Sequence, residues 1–182
     1  MANMDVSQSF TAQLFIDNQP VAVSRKVIEK MLEEPDISEQ RASVLKNQLI
    51  HSANLLSYAK DVTPETFHFA HHDGVYTLRV QGENGQFMNT ASMEGPSRNL
   101  TVYDGEDPTF FRIIIKGESV KLDDMPDDIH TVALHSGPQH QRWVHTYGGG
   151  TYFPVLTDDQ DRGGRVAVLE LRIIQRNIAA AS

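Results

Sequence analysis

Three histidines stand five residues apart, His135, His140 and His145, and a pair, His71-His72, lies upstream. Imidazole suits zinc and other divalent ions. Residues five apart point to opposite sides of a strand and do not stack on a helix, so they read as solvated turn histidines, with no metal site expected. The acidic segments Asp123-Asp124-Met125-Pro126-Asp127-Asp128 and Asp158-Asp159-Gln160-Asp161 carry oxygen ligands but lack the glycine and terminal Glu of a calcium loop. They read as self-repelling loops. Nucleophilic catalysis would need a Gly-x-Ser-x-Gly elbow, which is missing, and Ser136 beside His135 points away from it on a strand. Gly148-Gly149-Gly150 is followed by neither Lys-Ser nor Lys-Thr, so it is a turn rather than a phosphate cradle. No catalytic constellation and no cofactor is expected.

The cluster that remains is aromatic and amide-rich. Gln141, Trp143, His145, Tyr147 and Tyr152 surround the glycine turn, and Asp158 lies close behind. Aromatic rings stack on the apolar faces of sugars while amides and carboxylates fix hydroxyls, so this composition suits a shallow carbohydrate site. Trp143 fits two roles, a buried barrel residue or a platform for a ligand.

The chain has 182 residues, 40% hydrophobic and 22% charged, which fits one soluble globular domain spanning 1–182. With no cysteine, the fold rests on its core alone. A net charge of −8 and the absence of a Lys/Arg run disfavour nucleic acid, whose affinity comes from neutralised phosphates. The N-terminus lacks the apolar run of a secretory signal and no membrane span follows, so no membrane insertion and a cytoplasmic location are the default expectations.

Internal repetition organises the chain. Asn54-Leu55-Leu56-Ser57-Tyr58 and Pro64-Glu65-Thr66-Phe67 parallel Asn99-Leu100-Thr101-Val102-Tyr103 and Pro108-Thr109-Phe110-Phe111. Tyr76-Thr77-Leu78 through Gly85-Gln86-Phe87-Met88 parallels Val132-Ala133-Leu134 through Gln141-Arg142-Trp143-Val144 without a gap, which sets Phe87 against Trp143. Three copies result, at about 10–70, 74–115 and 116–175. Asp17-Asn18, Asp73-Gly74 and Gly163-Gly164 supply turns. Either Ser119 to Leu122 or Ile129 to Leu134 is the first strand of the third copy. Between Arg25 and Ala53 the period becomes helical, with Val27, Ile28, Met31 and Leu32 on one face and Val44, Leu45, Gln48 and Leu49 on another. Pro35 ends the first helix and Asp36 or Ser38 caps the second.

The threefold unit, with Asn84-Gly85-Gln86-Phe87 in its second strand and Pro108-Thr109-Phe110-Phe111-Arg112-Ile113 in its fourth, resembles the β-trefoil superfamily, especially its fascin-like and fibroblast-growth-factor-like members. The resemblance implies an all-β trefoil with a helical insert in the first repeat. Gln141-Arg142-Trp143 has the Gln-x-Trp form of ricin-type trefoil lectins. Trefoils generally act by binding, so the expected function is non-catalytic and lectin-like, with carbohydrate held by the third-copy residues. The alternative is a protein-interaction module, resembling actin-crosslinking or protease-inhibitor trefoils, that uses loops or the helical insert against a protein partner.

Overall fold

A computed structural model describes residues 4–93, 95–136, 141–148 and 153–179. Of the described residues, strand makes up 46% and helix 17%, the helix coming from two α-helices and two short 3-10 turns, so the chain is mostly β. In order run β1 (Asp5–Ile16), β2 (Gln19–Val23), α1 (Ser24–Leu32), α2 (Glu39–His51), β3 (Leu56–Tyr58), β4 (Phe67–His72), β5 (Val75–Gln81), β6 (Phe87–Ser92) and β7 (Thr101–Tyr103). Then come β8 (Arg112–Ile115), β9 (Glu118–Val120), β10 (Ile129–Ser136), β11 (Arg142–Trp143), β12 (His145–Tyr147), β13 (Val155–Thr157), β14 (Arg165–Val166) and β15 (Leu169–Arg176).

Three hairpins turn through two residues with left-handed backbone. Asp17 and Asn18 have φ of 50° and 64°, Asp73 and Gly74 of 51° and 89°, Lys116 and Gly117 of 50° and 81°. That geometry matches the right-handed twist of the flanking strands. Gly163-Gly164 does not close a hairpin as expected, because β13 and β14 each pair with β12 and not with each other.

The main sheet runs β7-β6-β5-β4-β1-β15-β10-β8-β9, an open path, and the strand ladders form no closed barrel among the described residues. Tyr76 of β5 and Phe111, just before β8, nevertheless form an isolated antiparallel bridge with reciprocal N–H···O bonds of 2.8 Å. Equivalent pairs stand elsewhere in the sheet: Ala12 faces Phe67, and Val132 faces Leu169. All six residues are at most 3% exposed and lie in one core. At a second level, Leu56 N donates to Leu100 O and Leu100 N to Leu156 O, each at 2.8 Å.

These pairings correct two sequence alignments. Leu56, Leu100 and Leu156 occupy like positions, one residue off the match drawn through Asn54 and Asn99. Leu78 faces Ala91 while Val144 N bonds Leu134 O, and Arg79 faces Thr90 while His135 faces Trp143. Trp143 therefore stands where Thr90 does, not where Phe87 does, because the third hairpin is shorter. Of the two candidate strands, Ile129–Ser136 pairs with both β15 and β8, whereas Glu118–Val120 pairs with β8 alone among the described residues.

The helical insert is closed at its root. Arg25 N donates to Ala53 O at 3.0 Å, and buried Ser24 Oγ bonds Ser52 O and accepts from Leu55 N. Ser38 caps α2, accepting from Arg41 N at 3.1 Å. Val27, Ile28 and Leu45 pack with Ala22, Val62, Phe153 and Val155 in a second core, which joins the insert to residues a hundred or more positions further along the chain. Val44 faces solvent, against the expected buried face.

Candidate functional site

The third-copy residues singled out by sequence do not share one surface. Gln141 and Tyr147 are exposed and Trp143 is half-buried, its ring edge-on to His135 at 3.9 Å and 82°. Tyr147 lies 5.5 Å from the Arg162 guanidinium. His145 is buried, its Nδ1 3.4 Å from Trp143 O. Tyr152 falls outside the described residues, as does His140. Asp158, expected at a loop surface, is 0% exposed. Its Oδ1 accepts from Arg98 Nε at 2.9 Å, and its Oδ2 from the other guanidinium arm at 2.6 Å and from Ser136 Oγ at 2.9 Å. With three donors already on it, the carboxylate is part of the framework.

The acidic segments are likewise used locally. Asp123 and Gln8 exchange side-chain and backbone bonds of 2.7 and 3.0 Å, and Asp159 accepts from Asp161 N at 3.1 Å. No group of three metal-ligating side chains converges among the described residues. His71 and His72 face opposite ways, as strand alternation requires. His71 packs on Tyr76 at 5.0 Å, its Nε2 accepting from Gly74 N at 3.0 Å. His72 turns outward, 6.2 Å from the Phe110 ring.

That outward face floors a cavity of about 770 Å³. Alternation puts His68, Ala70 and His72 of β4 beside Arg79, Thr77 and Val75 of β5, with Thr90 of β6 next in line. The connection after β7 forms the opposite wall with Glu106, Asp107, Pro108 and Phe110. Its shape is held by hydrogen bonds. Tyr103 Oη donates to Asp107 O at 2.7 Å and accepts from Asp107 N at 2.8 Å; Thr90 Oγ1 donates to Gly105 O at 2.6 Å; Met93 N donates to Thr109 Oγ1 at 2.8 Å. Gly105 is required there, since a Cβ would sit 2.0 Å from the Tyr103 ring.

His68 is fully buried between the cavity and the C-terminal segment. Ile178 O can only accept, so His68 Nε2 carries the proton in their 2.7 Å bond, leaving buried Nδ1 an acceptor with no hydrogen-bond partner among the described residues. Burial holds its pKa below the usual imidazole value, with the Arg79 charge acting in the same direction.

Sequence reading passed over this cavity, although one signal was present. Phe110 and Phe111 are adjacent, and neighbours on an extended chain face opposite ways, so both cannot enter the core. Phe111 is buried and Phe110 is 37% exposed at the cavity wall. Comparison with known proteins finds no matching family model, no similar curated protein and no similar solved structure.

Proposed function

We propose that the chain is a non-catalytic binding protein of β-trefoil architecture that recognises a saccharide, lectin-like, in the cavity between β4, β5 and the connection after β7. The trefoil reading is supported by the threefold recurrence of Ala12–Phe67, Tyr76–Phe111 and Val132–Leu169, which brings β1, β4, β5, β8, β10 and β15 into one ring of neighbours.

The observation that carries the function is the preformed cavity wall. Ligand sites are concave, largely apolar and built before the ligand arrives, with a few placed polar groups. Here Val75, Pro108 and Phe110 give apolar contact while Thr77, His72, Glu106 and Asp107 offer hydroxyl partners. The third-copy loops supply Gln141, Trp143 and Tyr147 without the carboxylate of Asp158, so the cavity is preferred to them. A protein-docking role for the insert gains no support: exposed Val44 and Ile50 are about 120° apart around α2 and form no patch.

A glycan array with the intact chain tests the reading. Saccharide hits that disappear in Phe110→Ala and persist in Trp143→Ala agree with it. Hits lost only in Trp143→Ala return the site to the third copy, and a blank array removes the saccharide.

A further inference from the structure

Arg79 lies on the cavity floor, paired across the sheet with His68 on one side and Thr90 on the other. Its side chain is exposed, and among the described residues it makes no ion pair. Glu106 and Asp107 line the same cavity and, among the described residues, make no ion pair either, so neither carboxylate comes within salt-bridge distance of the guanidinium. All three line the same cavity of about 770 Å³, which therefore carries one cationic fork and two carboxylates. A guanidinium fork matches a carboxylate in shape and charge. His68 adds no competing cation, because its charged form is disfavoured by burial and by Arg79.

We infer that the saccharide is an acidic one, a uronic-type sugar whose carboxylate seats on Arg79 while Glu106 and Asp107 accept from its hydroxyls and Phe110 faces its ring. This inference rests on the cavity being the saccharide site. The imidazole of His72, bonded through Nε2 to Thr77 Oγ1 at 3.1 Å, closes the other end of the floor. In a protein of net charge −8, a cationic group turned toward such a ligand offsets the repulsion that the rest of the surface exerts on an anion.

The test is a titration of the intact chain, followed by amide NMR shifts, with glucose, glucuronate and benzoate as probes, repeated on Arg79→Gln. The expected result is glucuronate binding at least about tenfold tighter than glucose, the preference vanishing in Arg79→Gln and weakening with salt. Equal binding of glucose and glucuronate overturns the acidic-sugar inference and leaves the saccharide reading standing. Binding of benzoate alone overturns the saccharide while keeping a carboxylate on Arg79. Shifts that ignore Arg79→Gln, or no binding by any probe, overturn the inference outright. Arg79 is exposed, so its replacement leaves the fold in place to be measured.

Discussion

Arg98 reaches across sixty residues of sequence to hold both carboxylate oxygens of Asp158, at 2.9 and 2.6 Å, and its own backbone carbonyl accepts from Thr157 Oγ1. The two partners are unequally placed: the Asp158 side chain is 0% exposed and that of Arg98 33%. Breaking the pair from opposite sides therefore costs different amounts. Arg98→Met strands a carboxylate away from water and is expected to cost about 3–5 kcal/mol. Asp158→Asn leaves a guanidinium that water can reach, and about 1–3 kcal/mol is expected. Urea denaturation of both variants checks the order; a costlier Asp158→Asn contradicts it.

Acid should weaken the fold through its histidines. Burial pushes the pKa values of His68, His71 and His135 below 6.5, the Arg112 charge adding to the effect at His135. At His71 the nearby Asp5 carboxylate opposes the shift without cancelling it, while Lys121 and His72 reinforce it. The unfolded chain then binds protons more readily than the folded one. Stability is full above about pH 6.5 and declines as pH falls below it. Because His71 Nε2 accepts from Gly74 N, its protonation also removes a turn bond. Denaturation midpoints between pH 7.5 and 5 should fall for the native sequence and fall less for His71→Gln, whose amide oxygen can still accept.

Gly105→Ala is expected to act on the ligand more than on the fold. The added methyl collides with the Tyr103 ring, and displacing that ring releases both Tyr103–Asp107 bonds. Because the residues around 104–107 are mostly exposed, global stability should fall by only about 1 kcal/mol, as for a typical substitution. Saccharide affinity should drop about tenfold or more as the cavity wall loosens. Equal affinity in variant and native chain would show that the wall is not part of the site.

Trp143→Ala separates a rim residue from a core residue. Half-buried and edge-on to His135, Trp143 should contribute about 1–2 kcal/mol through the ring pair and its partial burial. A loss of about 3–5 kcal/mol is the signature of a fully buried ring and would place Trp143 in the core. Tyrosine fluorescence or circular dichroism provides the signal once the single tryptophan is gone.

The parts of the fold legible in the sequence were those dictated by local rules. Asp17-Asn18 and Asp73-Gly74 announce their turns because few residues accept a positive φ, and the insert announces itself by its change of period. Its predicted limits, Arg25 and Ala53, are the residues whose backbone bond closes the root. Strand offsets were less legible. The ungapped match sets Trp143 against Phe87, while the position is defined by who sits across the hairpin, and the two hairpins differ in length. Asp158 reads as a surface acid because charge predicts exposure; the approach of Arg98 and Ser136, 60 and 22 residues away in sequence, makes its burial tolerable. The cavity was hidden for a similar reason, since its two walls come from separate stretches of chain.

The neighbouring positions of β1 and β15 bear on how the chain is made. Gln13 pairs with Arg172, so β1 must wait for a strand synthesised about 160 residues later. At ordinary translation speeds the roughly 160 residues between them take on the order of ten seconds to emerge. Throughout that interval the β15 side of β1 is an open edge, and its Phe10, Ala12, Leu14 and Ile16 side chains, buried in the finished protein, lack part of their cover. β1 thus closes against β15 well after it is made, and β1 is where the nascent polypeptide most needs a chaperone.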